Sequence, residues 1–336
     1  MGRKRKNQTS LPSRWSLKHG RYYYRVPEGL EDEWDGKKWF PLGKTLGEAY
    51  TTWHARVQVE DGVPKTVSAA MDRYCAEVLP EKAEKTQSEY LKAIARLRPV
   101  FGLMAPKSVR PRHVYQYMDK RPPTAANREK ATLSAIFTAC VRWGALDRNL
   151  IREVKRNTER PRDRYVTDEE VELFLAQCGA MLKAYVELKL LTGLRQGQIL
   201  ALKLSDWDGE KLTVPGAKGG RTVVYSGDGL AEAFEAVREL RKGRALRSVF
   251  LFATRTGRPY SGDGFRSIWQ RAMAKYMAVG GERFTDHDLR AKVASDSESL
   301  AAAQTRLGHQ SSQLTHRVYR RKPAQVSVLE RTARKS

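Results

Sequence analysis

The sequence predicts a multidomain, mainly helical chain, in which a small β-sheet with one helix precedes an all-α four-helix domain and a mainly α, mixed α+β domain. Three observations support this fold class. The 336 residues exceed the usual length of one domain. Strand-like aromatic runs give way to helical periodicity near residue 60, and a basic, proline-broken stretch precedes residue 165. We therefore place domains at 1–60, 63–157 and 165–336, the last including a carboxy-terminal tail, with a basic linker at 158–164.

Aromatic and β-branched runs bounded by glycine and charge predict two strands in the first segment, at Tyr22–Val26 and Lys38–Leu42. Thr45 followed by Glu48 has the spacing of a capping box, which predicts that a helix begins there. The first segment is therefore expected to be a small sheet with one helix packed on it.

Apolar residues at helical spacing predict four helices in the second segment. The first covers Val67 to Val78, and a capping box of Thr86 and Glu89 is expected to start the second. The third begins near Val109, and the fourth is closed by Gly144. Their aromatic and methionine stripes are expected to form a core.

The third segment opens on another capping box, Thr167 with Glu170. A helix then leads to a glycine-marked turn at Gly193, which is predicted to hold Arg195 at the start of the next helix. Two short strands around a glycine-rich turn follow, and this hairpin is expected to carry Lys218 at its tip.

The chain is strongly basic, with 62 Lys+Arg, 38 Asp+Glu and a formal net charge of +24. Nucleic acid is the expected partner, because neutralising phosphates releases counterions. A membrane surface is the alternative, but we find neither an apolar stretch long enough to span a bilayer nor a signal-peptide pattern. The expected location is the cytoplasm. Cys75, Cys140 and Cys178 have neither disulfide nor metal-site spacing and are predicted to be core residues.

Residues able to promote chemistry on a phosphodiester are spread over the third segment. These are Arg195, Lys218, His287, Arg290, His309 and Tyr319. Each has an ordinary explanation when taken alone, as an exposed turn, a surface or core histidine, or a packed aromatic. Their order and spacing together favour the breaking and rejoining of a nucleic acid strand without a metal.

In these residues the chain resembles the tyrosine recombinases, and within them the phage integrases of the lambda type. Thr192-Gly193-Leu194-Arg195 is similar to the first arginine box of the family, and Lys218 matches its hairpin lysine. His287-Asp288-Leu289-Arg290 and Leu307-Gly308-His309 match the two histidine boxes, and Tyr319 follows in the position of the nucleophile. Where the family usually has Glu or Asp three residues after the first arginine, this chain has Gln198, which is expected to support the site by hydrogen bonding.

The resemblance extends to the first two segments. It implies an amino-terminal domain of three strands and one helix that binds arm-type DNA sites, and a helical domain that binds the core site and closes around duplex DNA with the catalytic domain. The residues expected to contact DNA are Arg3, Lys4, Arg5, Lys6, Arg21, Tyr23, Arg25, Lys155, Arg156, Arg162 and Arg164. The tail around Val326–Leu329 is expected to pack against a neighbouring protomer.

The chemistry that the resemblance implies is attack by Tyr319 on a DNA phosphate. Arg195 and Arg290 are expected to bind the non-bridging oxygens, whose charge grows as phosphorus becomes five-coordinate. His309 is expected to donate a further hydrogen bond to the same oxygens. His287 is expected to accept the tyrosine proton.

Lys218 is expected to protonate the departing 5′-oxygen, so that a 3′-phosphotyrosyl bond forms without a metal, ATP or any other cofactor. The resemblance further implies a homotetramer on duplex DNA that exchanges strands through a Holliday junction to integrate or excise a mobile element. A host DNA-bending protein and a directionality factor are the expected accessory partners, in the nucleoid of a bacterial host's cytoplasm. Two alternatives remain open, namely supercoil relaxation as in type IB topoisomerases and DNA-binding regulation without catalysis.

Overall fold

The structure is a computed structural model that describes residues 11–12, 14–56, 62–216, 221–242, 248–319 and 321–322. The chain divides into two compact units, Met1–Arg160 and Pro161–Ser336. The predicted fold class is confirmed, since a small amino-terminal sheet is followed by four helices and then by a mainly helical unit with one β-hairpin.

A three-stranded antiparallel sheet begins the first unit. Its strands are β1 (Trp15–Lys18), β2 (Arg21–Arg25) and β3 (Trp39–Gly43), in the spatial order β1-β2-β3. The two strands predicted from the sequence pattern are confirmed as β2 and β3, whereas the four-residue β1 is too short to show a pattern of its own. The sheet is followed by α1 (Leu46–Arg56), and the predicted capping box is present at its start.

The rest of the first unit contains the four predicted helices. They are α2 (Val67–Glu77), α3 (Glu84–Phe101), α4 (Pro111–Asp119) and α5 (Pro123–Arg142). One expectation is wrong: Thr86 does not cap α3 but lies inside it, because the short turn through Pro80 ends in extended backbone at Lys82 and the helix begins two residues before the threonine. Gly144 follows α5 with φ +74°, as expected for a residue that closes a helix.

The sheet and the four helices share one hydrophobic cluster, which runs from Trp15 to Val154. A buried polar network joins α1 to two of these four helices. Arg98 of α3 donates to the hydroxyl of Tyr50 in α1 at 2.9 Å and to Asp72 of α2 at 2.6 Å. The predicted domain boundary between residues 60 and 63 stays a prediction.

The second unit is mainly helical with one small hairpin. Its helices are α6 (Asp168–Ala176), α7 (Ala180–Thr192), α8 (Gln196–Ala201), α9 (Asp228–Glu239), α10 (Gly262–Ala278), α11 (Asp286–Asp296), α12 (Leu300–Leu307) and α13 (Ser312–Leu314), followed by a π-helical turn at Thr315–Tyr319. The antiparallel hairpin pairs β4 (Lys211–Val214) with β5 (Val223–Ser226). The predicted capping box of Thr167 and Glu170 is present at the start of α6.

All three cysteines are buried with free thiols, as predicted. Among the described residues, the helices are all too short or too polar to cross a bilayer.

Candidate active site

Helix α11 carries the first pair of candidate catalytic residues. It starts at a capping box in which the backbone N–H and the hydroxyl of Thr285 both donate to Asp288 Oδ2, each at 2.8 Å. This cap fixes the first turn of the helix, so that His287 and Arg290, three residues apart, project from neighbouring positions on one face.

Arg290 is fully buried and connects three segments of the second unit. Its Nη1 donates to the carbonyl oxygen of Gly193, and its Nη2 donates to the carbonyl of Leu307 and to His309 Nε2, both at 2.8 Å. The two carbonyls end α7 and α12, where helices leave acceptors unsatisfied. Burial, reinforced by the charge of Arg195, lowers the pKa of Arg290 from its usual value.

Gly193 has to be a glycine for two reasons. Its φ is +66°, in the left-handed region that side chains disfavour. A Cβ at this position would also lie 2.6 Å from Leu307 Cδ2 and 3.0 Å from Val293 Cγ1. The turn therefore brings the first arginine box close to α11 and α12.

Arg195 is the N-cap residue of α8 and is partly exposed. Its backbone N–H donates to Gln198 Oε1 at 3.2 Å, and Gln198 Nε2 in turn lies 3.5 Å from the carbonyl oxygen of Pro215, at the base of the hairpin. An amide can accept and donate at once, whereas a carboxylate only accepts. Gln198 thus supports the backbone of Arg195 by a neutral hydrogen bond.

Tyr319 is 5% exposed and lies among these side chains. Its ring centroid is 5.1 Å from that of His287 and 4.7 Å from that of His309. The guanidinium carbon of Arg290 lies 5.4 Å from the same centroid. Three residues from two separate histidine boxes therefore surround one phenol ring.

Both ring nitrogens of His309 are engaged. Because a guanidinium can only donate, Nε2 accepts a hydrogen bond from Arg290. The proton of the neutral ring is therefore on Nδ1, which donates to Thr315 Oγ1 at 2.8 Å. Burial, together with the charges of Arg290 and Arg195, lowers the pKa of His309 to about 4. The imidazole is therefore neutral at physiological pH and orients Arg290. Its expected donation to phosphate oxygens stays a prediction.

The environment of His287 also favours a neutral ring. Partial desolvation lowers its pKa, and the cations of Lys189, Arg290 and Arg321 act in the same direction, although the side chain keeps contact with solvent. Lys189 is fully buried beneath the site and pairs with Asp286 Oδ2 at 2.7 Å. A neutral imidazole can accept a proton, as the expected role of His287 requires.

Several predicted residues lie outside the described residues. They are Arg3, Lys4, Arg5, Lys6, Lys218 and the tail Val326–Leu329. Their expected roles stay predictions.

The remaining predicted DNA contacts fall into two groups. Arg21, Tyr23 and Arg25 lie on β2, where both arginines are exposed. Lys155 and Arg156 are exposed after the four helices, and Arg156 pairs with Glu159 at 3.0 Å.

Two linker arginines have acidic partners within the second unit. Arg162 lies 2.9 Å from Asp288, and Arg164 pairs with Glu170 and, at 3.3 Å, with Glu282. Arg164 is only partly exposed, so much of its charge is balanced by the protein itself. Among the described residues, no group of three or more His, Cys, Asp or Glu side chains could hold a metal ion.

Comparison with known proteins agrees with this geometry. Residues 164–325, which include all six candidate catalytic residues, match the sequence model of the phage integrase family. This part of the chain matches the tyrosine recombinases. No curated protein sequence matches the chain.

Solved structures show which fold the chain has. It is similar to a lambda integrase dimer bound to a COC′ core site, with a TM-score of 0.66 and 21% identity over 96% of this chain and 99% of that chain. A lambda integrase tetramer bound to a Holliday junction gives the same values. The Tn1549 transposon integrase, in complex with circular intermediate DNA, has a TM-score of 0.62 and 18% identity over 78% of this chain and 96% of that chain. At these identities the likeness establishes the fold.

Sequence reasoning missed several residues that hold the site together. Thr315 fixes the tautomer of His309, and the Lys189–Asp286 pair anchors the start of α11. Asp288 lies inside the His-x-x-Arg motif, yet it is fully buried. It accepts hydrogen bonds from Arg321 and Thr285 and forms an ion pair with Arg162. The sequence did contain two signals for these residues. Asp288 is a charged residue next to the motif histidine His287, and Lys189 is a charged residue inside the apolar helix α7.

Proposed function

We propose that this protein is a tyrosine recombinase that cuts and rejoins duplex DNA through a covalent bond between Tyr319 and a 3′-phosphate. The observation that supports it most directly is the packing of the Tyr319 ring against Arg290, His287 and His309. A phenol inside a cationic site is suited to attack a phosphate, because the same charges attract the substrate and stabilise the transition state.

Arg290 and Arg195 are proposed to bind the non-bridging oxygens during the attack. The charge of Arg195 reaches both Arg290 and His309, since it contributes to lowering the pKa of each. Two like charges held close together in a partly buried site are costly unless an anion compensates them. A DNA phosphate supplies that anion, and its charge grows in the transition state.

Proton transfer completes the reaction. The Tyr319 hydroxyl gives its proton to His287 while its oxygen forms a bond to phosphorus, and the bond from phosphorus to the 5′-oxygen breaks. Lys218 is proposed to protonate that 5′-oxygen. The phosphotyrosyl ester keeps the energy of the broken bond, so the 5′-hydroxyl of a second strand can reverse the sequence without ATP or a metal.

The proposed substrate is a pair of attachment sites, with a homotetramer that exchanges strands through a Holliday junction. The lambda integrase structures, a dimer on a core site and a tetramer on a junction, support this assembly by similarity of fold. The net charge of +24 suits a protein that binds two duplexes. A DNA-bending protein and a directionality factor of the bacterial host are proposed as accessory partners.

The β2 strand is proposed to contact arm-type DNA through Arg21 and Arg25, with Tyr23 between them. Replacing both arginines by alanine should impair recombination of full attachment sites and spare cleavage of short core sites. Deletion of the whole segment is a poorer test, because Trp15 and Tyr50 belong to the core that also covers the four helices. Equal loss of both activities in the double variant would contradict the division of roles.

The covalent step can be tested on a mixture of DNA sequences from which the protein selects its own site. A library of randomised duplexes, each nicked so that cleavage releases a short fragment, is incubated with the protein and denatured in detergent. The wild-type chain should recover a consensus sequence as a covalent adduct, whereas Tyr319→Phe should bind that sequence with similar affinity and form none. Adducts of Tyr319→Phe would refute the proposal.

The same reagents separate the two alternatives. A non-enzymatic regulator would bind a consensus sequence and give no adduct with the wild-type chain. A topoisomerase would relax supercoiled plasmid that lacks the consensus as readily as plasmid that contains it. A recombinase should act only on the plasmid with the consensus.

A further inference from the structure

The segment that follows Tyr319 is attached to α11 by a buried ion pair. Arg321 Nη1 lies 2.6 Å from Asp288 Oδ1, and the two side chains are 5% and 0% exposed. Asp288 directly follows His287 in the motif, so one turn of helix holds both the proposed base and the anchor of this segment.

A second attachment lies two helical turns further along α11. The buried hydroxyl of Ser295 donates to the carbonyl oxygen of Tyr319 at 3.0 Å and accepts from the backbone N–H of Arg321 at 2.7 Å. Residues seven apart lie on the same face of a helix, so Asp288 and Ser295 form one surface that receives the chain after the tyrosine.

Two further hydrogen bonds from Arg321 also go to the protein. Nε donates to the carbonyl of Val318 at 3.0 Å, and Nη1 donates to the carbonyl of Arg164 at 3.2 Å. A guanidinium that is buried and paired in this way is poorly placed to bind DNA phosphates. Its contacts instead fix the backbone on both sides of Tyr319.

We propose that Arg321 is a positioning residue that holds Tyr319 against the side chains proposed to activate it. This inference rests on the proposed function, because it concerns how the proposed nucleophile reaches its substrate.

Asp288 has other partners besides Arg321. The carboxylate also accepts from Thr285 and lies 2.9 Å from Arg162, and these hydrogen bonds and charges lower its pKa despite its burial. After loss of Arg321, Asp288 keeps its hydrogen bonds from Thr285 and its ion pair with Arg162. The change should release the tyrosine segment without leaving an isolated buried charge.

The test compares single-turnover adduct formation at saturating DNA for Arg321→Ala, Arg321→Lys and the wild-type chain. A displacement of about 1 Å can cost roughly 100-fold in rate, so Arg321→Ala should be slower by about 10- to 100-fold. Arg321→Lys keeps the charge and should recover part of the rate. DNA affinity should stay within about twofold of wild type, since the side chain is not directed at DNA.

A matched control is Arg266→Ala, which removes an exposed arginine that pairs with Asp263 on α10. It should leave the rate unchanged. The proposal is overturned if Arg321→Ala cleaves at the wild-type rate, or if its rate loss is accompanied by an equal loss of DNA affinity.

Failure of the wild-type chain to form any adduct would instead count against the proposed function on which the inference rests.

Discussion

Replacement of Arg290 by alanine should destabilise the carboxy-terminal unit as well as abolish cleavage. The guanidinium satisfies the carbonyl oxygens of Gly193 and Leu307 and His309 Nε2, and all three acceptors would lose their partner together. The same residue is proposed to stabilise the transition state. Its structural and chemical roles can therefore be measured on one variant.

The expected magnitude follows from two opposing contributions. A buried acceptor left without a donor costs about 1–3 kcal/mol, which gives a loss of several kcal/mol for three acceptors. Burial of the charged guanidinium carries a desolvation penalty, which is why the pKa of Arg290 is lowered. Replacing Arg290 by alanine removes this penalty and so offsets part of the loss. We expect the free energy of unfolding to fall by about 3 kcal/mol.

Urea denaturation of the full chain, followed by circular dichroism, measures this change. Arg266→Ala serves as the control, because an exposed ion pair contributes little, and it should lie within about 0.5 kcal/mol of wild type. Arg290→Lys should fall in between, since an ammonium group keeps the charge but cannot reach three acceptors as a planar fork does. An Arg290→Ala chain as stable as the control would refute the linking role that we assign to this side chain.

Three further predictions concern protonation and backbone geometry. The pKa of His287 is lowered, so this proposed base stays deprotonated at pH values below the ordinary histidine range. The rate of adduct formation should therefore fall only as the pH drops below about 6.5. A fall in rate centred above pH 6.5 would contradict its role. For His309 the folded pKa of about 4 lies below the unfolded value near 6.5, so stability should be lost as pH falls from 6.5 to 4, by about 3 kcal/mol in total. The difference in unfolding free energy between wild type and His309→Gln across this range measures the effect, and a constant difference would exclude it. Gly193→Ala should cost at least about 2 kcal/mol and slow cleavage, because a left-handed alanine would meet Leu307 Cδ2 at 2.6 Å; wild-type stability of this variant would show that the turn is looser than described.

Local patterns in the sequence predicted much of the fold. The capping boxes at Thr45 and Thr167 start helices as expected, because the side chains that satisfy the first N–H groups lie within three residues of one another. The same pattern failed at Thr86, where the preceding turn rather than the threonine decides where α3 begins. The four-residue β1 gave no pattern and depends on pairing with β2.

The candidate site could be predicted only in part. Motif spacing identified His287, Arg290, His309 and Tyr319, and the structure brings all four side chains together. Spacing could not show that His309 Nε2 accepts from Arg290. That contact depends on the packing of α11 against the end of α12, a relation between segments that no local pattern encodes.

The contacts of Arg321 have the same origin. Its partner Asp288 lies 33 residues earlier in the chain, and either residue alone would be read as an ordinary surface charge. Burial of both converts them into an attachment for the nucleophile segment.

The proposed covalent step is tested most directly by identifying the amino acid that becomes bonded to DNA. Wild-type protein trapped on its selected nicked duplex is digested with protease and nuclease, and the nucleotide-bearing peptide is sequenced by mass spectrometry. We expect a single modified residue, Tyr319, joined through a 3′-phosphate. A modification on any other side chain, or linkage through a 5′-phosphate, would contradict it.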